Sequence, residues 1–96
     1  MPYIKQERRG ELDKRIDDLV NLLITMTAQD GDYNYLITRI LAGGFDLGLN
    51  PKYSKINAII GILECIKLEL YRRVAAPYED VKAAENGDVP EYSILC

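Results

Sequence analysis

The stretch GILECIKLELYRRVAAPYED, residues 61–80, decides how this chain is built. Its periodicity is helical, and it is apolar over more than half of its circumference, where a helix with one buried face shows a single stripe. Ile56, Ile59, Ile60, Leu63, Ile66, Leu70, Val74 and Val81 form one stripe, expected to cover the other helices as the core of the protomer. A second face carries Ala58, Ile62 and Cys65, with Leu68 beyond them. A chain of 96 residues has no further helix to lay over that face, so a second copy of the chain is the economical cover. Self-association through Ala58, Ile62, Cys65 and Leu68 is the expectation.

Upstream, Leu12, Ile16, Leu19, Val20, Leu23 and Met26 follow 3.6-residue spacing and predict a first helix over about residues 11–28, preceded by an arm at residues 1–10. Asp32 is placed as the N-cap of a second helix whose face is Tyr33, Leu36, Ile37, Ile40 and Leu41, ended or loosened by Gly43 and Gly44. In the connection GGFDLGLN, Phe45 and Leu47 are expected to turn inward. Asn50 followed by Pro51 has the order of an N-cap and first helical residue, so the third helix starts there and runs to about residue 76. Pro77 lacks a backbone donor and crowds the carbonyl four residues back, which predicts a kink or a new turn. YEDVKAAE keeps helical character, NGDVP reads as a turn, and residues 86–96 form a C-terminal tail. The expected architecture is all-α: a single three-helix domain over residues 1–96, with one long C-terminal helix that kinks at its proline, self-associating.

Composition narrows the function classes. Hydrophobic residues make up 48% and charged residues 28%, with a net charge of −3, which argues against nonspecific nucleic-acid binding and against an anionic membrane surface. Apolar runs such as AIIGIL are too short for a membrane span or a signal-peptide core, and the expected location is the cytoplasm. Cys65 and Cys96 make no disulfide framework, and with no histidine a Cys/His zinc site and a histidine-based triad are excluded. No metal site, no cofactor and no catalytic set is expected.

Two constellations stand out as ligand-binding candidates. Asn57, Glu64, Tyr71 and Tyr78 recur every seven residues as a polar and aromatic edge, and Lys67 projects between Ile60 and Val74, three residues from Glu64. A Glu64–Lys67 ion pair that fixes register is the structural explanation. The second constellation is cationic: Arg72 and Arg73 follow Tyr71, Arg39 lies on the second helix, and Arg8 and Arg9 stand near the start. Gathered together, such arginines fork around a phosphate while a tyrosine ring stacks on a base. The competing structural role is a Glu69–Arg73 pair with the other arginines solvated.

An enzyme alternative rests on AENGDV, where Glu85 and Asp88 resemble the acidic E-x-x-D element of magnesium-dependent, all-helical nucleoside triphosphate pyrophosphohydrolases. The tight E-E-x-x-E cluster of that family is missing, since Glu64 and Glu69 have the wrong spacing, and Pro90 comes where the family continues its helix. Along nearly its whole length, the chain resembles a different family: short proteins of uncharacterised function met in phages and in bacterial and archaeal genomes. The resemblance is carried by MPYIKQERR, GDYNYLITRI and YSKINAIIGILECIKLELYRRVAAPYEDVKAAENGDV. It implies an accessory role, in which a small oligomeric protein binds a host protein or sequesters a phosphorylated small molecule, and it brings no catalytic residue.

Overall fold

The computed structural model describes residues 2–95 and divides them into two units, residues 2–61 and residues 62–95. All regular structure among the described residues is helical.

The first unit begins with an arm that leads into one 3₁₀ turn at Gln6–Arg8 and then α1, Arg9–Thr25. The Arg9 guanidinium donates twice to the Ile4 carbonyl, at 3.0 and 2.8 Å, and ties the arm to the first turn. α1 stops short of residue 28 because Thr27 turns into the left-handed region, with φ of 52°. There the Ala28 amide donates to Leu23 O and the Thr27 amide to Ile24 O, the paired bonds of a Schellman C-cap. A β-branched residue at that φ is strained, so these two hydrogen bonds hold the cap against the preference of the residue.

α2 spans Asp30–Gly44. Its N-cap is Gln29, and Asp32 sits at the third helical position, where its carboxylate accepts the Gln29 amide at 2.8 Å. Asp32 thus serves the cap from inside the helix, the reciprocal arm of a capping box, and is not the cap residue itself. The helix continues through Gly43 and Gly44 and closes at Asp46, whose φ is 54°, again with both bonds of a Schellman cap, from Leu47 to Ala42 O and from Asp46 to Gly43 O. Aspartate tolerates the left-handed region well enough to replace glycine there.

α3, Tyr53–Leu70, begins in the first unit. Its first amide bond runs from Ile56 to Lys52 O, so the helix nucleates after Pro51 and not on it. Ile59 is the one buried residue among the described residues. Leu19, Leu23, Leu36, Leu41, Phe45 and Leu47 are half-buried in this unit, so Phe45 and Leu47 do turn inward.

The second unit contains the rest of α3, a π turn at Tyr71–Ala75, α4 at Ala76–Asn86 and the single-turn α5 at Pro90–Ser93. Gly87, with φ of 86°, ends α4. The tail expected after residue 86 is therefore partly helical, and its last residue, Cys96, lies outside the described residues. No described residue of this unit is buried.

These exposures correct the expectation of a protomer core. Of the long stripe only Ile59 is covered; Ile56, Ile60, Leu63, Ile66, Leu70, Val74 and Val81 are all exposed. The second face is equally open, since Ala58, Ile62, Cys65 and Leu68 are exposed as well. Among the described residues, both apolar faces of α3 are thus open apart from Ile59.

Candidate functional site

The proline acts one turn before its own position. In a regular helix the Pro77 ring would press on the Arg73 carbonyl, and the missing N–H would leave a gap in the ladder. The chain widens instead into the π turn at Tyr71–Ala75, where the Ala76 amide donates to the Tyr71 carbonyl, five residues back. The helical path then continues into α4 without a break. One residue too many in a turn rotates everything beyond it by roughly 100° relative to a regular helix. Tyr78 accordingly leaves the edge it was expected to share with Glu64 and Tyr71, and Val81 leaves the apolar stripe.

Glu79 takes the vacated place. The Tyr71 hydroxyl donates to Glu79 Oε1 at 2.7 Å, an eight-residue separation that a regular α-helix does not align. Tyr78 instead lies under the Lys82 ammonium, 5.5 Å from its ring centre, while Lys82 also pairs with Glu85 at 3.3 Å.

Around this bond the second unit forms an open groove of about 680 Å³, lined among others by Tyr71, Glu79, Asp80, Lys82, Asp88 and Tyr92. Its charged lining is three carboxylates, Glu79, Asp80 and Asp88, against the Lys82 ammonium. Such a lining repels phosphate and tolerates cations or neutral aromatic groups. The hydrogen bond to Glu79, then the negative charge of that carboxylate, hold the Tyr71 hydroxyl above its ordinary pKa of 10.0, with Tyr92 adding to the effect.

This shift fixes the sign of the linked stability. The folded state holds the proton more tightly than the unfolded chain, so the contribution is complete below pH 10.0 and is lost as pH rises through the elevated value. In an ultraviolet titration, the difference between the parent and Tyr71→Phe should be one ionisation step lying above pH 10.0. A difference step centred at or below pH 10.0 would show that the bond does not persist in solution.

The other candidate residues are scattered. Glu64 and Lys67 pair at 3.2 Å, as their spacing predicts, but their side chains are 54% and 70% exposed. A pair in that setting contributes at most about 1 kcal/mol. Arg72 pairs with Glu69 at 2.8 Å, where the sequence pattern put Arg73 in that role. Arg39 donates to the Tyr35 hydroxyl at 3.0 Å and stands over the same ring. Asn57 and Arg39 belong to the first unit and Glu64, Lys67, Tyr71, Arg72 and Arg73 to the second, so the seven do not make a site within either unit.

The acidic element is dispersed as well. Glu85 is in α4 and paired with Lys82, whereas Asp88 lies beyond the Gly87 stop and accepts the amide of Val89 at 2.8 Å. Among the described residues no group of three metal-ligating side chains is gathered. Among the described residues no helix is long and apolar enough to cross a membrane.

A family match covers residues 1–89, from the arm to Val89 and so most but not all of the groove's lining. The chain belongs to the DUF6899 family, a domain of unknown function. No curated protein and no solved structure matches the chain. The DUF6899 region thus includes α1 to α4 and the π turn, while α5 lies past it.

Periodicity alone does not single out Glu79, Asp88 or Tyr92. A regular helical wheel puts Glu79 off the Tyr71 face, and the signal that would have restored it is Pro77 itself, whose clash is relieved by one extra residue in the preceding turn.

Proposed function

We propose that this DUF6899 chain is a non-enzymatic binding protein that works as a homo-oligomer, an accessory protein whose helices are covered by further copies of itself before it docks a partner. The carrying observation is uncovered surface. Among the described residues Ile59 alone is buried, and within the second unit Ile62, Leu63, Ile66, Leu70 and Val74 are all exposed along one helical path. Neither unit holds more than one buried residue among those described, so folding and association are expected to be one event.

Light scattering and circular dichroism across a concentration series test this. An oligomer whose melting temperature falls on dilution is the expected result. A monomer at micromolar concentration that unfolds cooperatively, with a midpoint independent of concentration, would overturn it.

Sequestration of a phosphorylated ligand at Tyr71, Arg72 and Arg73 draws less support. Tyr71 is bonded to Glu79 in an acidic groove, and Arg72 is turned to Glu69. The magnesium-dependent enzyme alternative draws less still, with Glu85 and Asp88 separated by the end of α4.

A further inference from the structure

We infer that the groove beside α4 docks a basic segment of a partner protein, an extended stretch that carries arginine or lysine along one side. The inference rests on the binding-protein reading above and names its partner, without depending on how many copies assemble.

The groove lies wholly within the second unit. Of its lining, Glu79, Ala83 and Asn86 follow one another at spacings of four and three and share one side of α4, a run of about 10 Å. Past the end of that helix Gly87 turns the chain, and Val89, Tyr92 and Leu95 complete the lining. Tyr71 and Tyr92 stand near each other there, because Tyr92 adds to the electrostatic hold on the Tyr71 hydroxyl.

Carboxylates alone on a helix are an ordinary solvated face. Here they border an aromatic and apolar groove, and the chain supplies no cation to them. Among the described residues, Glu11, Glu64, Glu69 and Glu85 each have a basic partner, whereas none of Glu79, Asp80 and Asp88 has one. Glu79 accepts from the Tyr71 phenol and Asp88 from the Val89 amide, both neutral donors. The ammonium of the lining, Lys82, is engaged by Glu85 and by the Tyr78 ring. The complementary occupant is therefore cationic.

The rest of the lining says which kind of cation. A metal ion needs several ligands gathered at one point, and no such group is found among the described residues. An arginine or lysine uses both parts of the groove: its aliphatic stem lies along apolar and ring surface while its head meets a carboxylate and a ring face. The chain already makes that pairing twice, with Lys82 over Tyr78 at 5.5 Å and Arg39 over Tyr35 at 5.7 Å. Carboxylates occur at both ends of the run, Glu79 and Asp80 early in α4 and Asp88 past its end, which suits several cations on one chain. On an extended segment, side chains two or four positions apart lie on one side, about 7 or 13 Å from each other, and match that length.

Fluorescence anisotropy on the full chain at physiological salt provides the test, with a labelled peptide that has arginine at every second position and serine between. The parent should bind it, and a peptide with glutamate in place of arginine should not bind. Asp80→Asn with Asp88→Asn should weaken binding by about tenfold or more, and Tyr92→Leu by about 2–5-fold. Asp17→Asn with Asp18→Asn removes the same charge from exposed positions of α1 in the other unit and should leave the affinity unchanged. The inference is overturned if the parent does not bind at about 1 mM peptide. It is also overturned if the groove pair binds as the parent does, or if the α1 pair weakens binding as much as the groove pair, which would be mere attraction to a negative chain. Spermidine that competes at lower concentration than the arginine peptide would assign the groove to a free polyamine and overturn the protein partner. Light scattering on the same samples keeps the two readings apart. A monomer that binds the peptide removes only the oligomer, and an oligomer that fails to bind it removes only the groove.

Discussion

Ile62→Glu should weaken self-association by on the order of 1000-fold, because a carboxylate would have to be carried into an apolar contact without a partner. Ile62 is 40% exposed in the single chain, enough for a carboxylate there to turn toward solvent within the protomer. Its effect should therefore appear as dissociation first. Sedimentation equilibrium at micromolar concentration would show the loss of the oligomer directly. Because the first unit buries only Ile59 and the second no described residue, the dissociated chain is also expected to lose its cooperative melting transition. An Ile62→Glu protein that sediments as the parent does would place the interface elsewhere, and one that is monomeric yet melts cooperatively would show that the protomer is stable alone.

Ile59→Asp is the second substitution expected to act strongly, by about 3–4 kcal/mol, through burial of an unpaired carboxylate. Ile59, 9% exposed, is the most protected side chain among those described and belongs to the unit of α1 and α2. The change should shift the urea midpoint of the parent oligomer sharply, while Ile59→Val, which removes one methylene, should cost about 0.5–1.5 kcal/mol. Equal and small shifts for both would mean that the little burial found in this unit does not govern its folding. The contrast with Ile62 is informative because the two residues are three apart, and one is covered by its own chain while the other is not.

The helical class was legible from periodicity, and α1 and α2 were found within two or three residues at their ends. Their exact stops were not, because the pattern assigns glycine to left-handed positions, and here Thr27 and Asp46 take those positions while Gly43 and Gly44 stay helical. Hydrogen bonds from the next residues overrule the residue preference at both ends. The Glu64–Lys67 pair was legible because a three-residue spacing on a regular helix leaves little choice. Apolar richness of α3 was also legible, but not its consequence: Ile60, Leu63 and Ile66 follow the periodicity of a core stripe and are nonetheless uncovered. Periodicity tells which residues share a face and is silent on what lies opposite. The Tyr71–Glu79 bond was hidden for a different reason, since it depends on a turn that does not obey the period used to read the helix.

That turn also bears on how residues should be matched among members of the family. A relative with one residue fewer between Tyr71 and Ala75 would wind through the region as an unbroken α-helix, and its counterpart of Glu79 would stand seven positions after its tyrosine instead of eight. Aligned without a gap, the two chains would agree in letters across the proline and disagree in every side-chain direction after it. Aligned with a gap inside residues 72–75, they would present the same groups on the same side. A single-residue deletion at Val74, made together with Pro77→Ala so that the regular ladder has all its donors, is the direct equivalent in this chain.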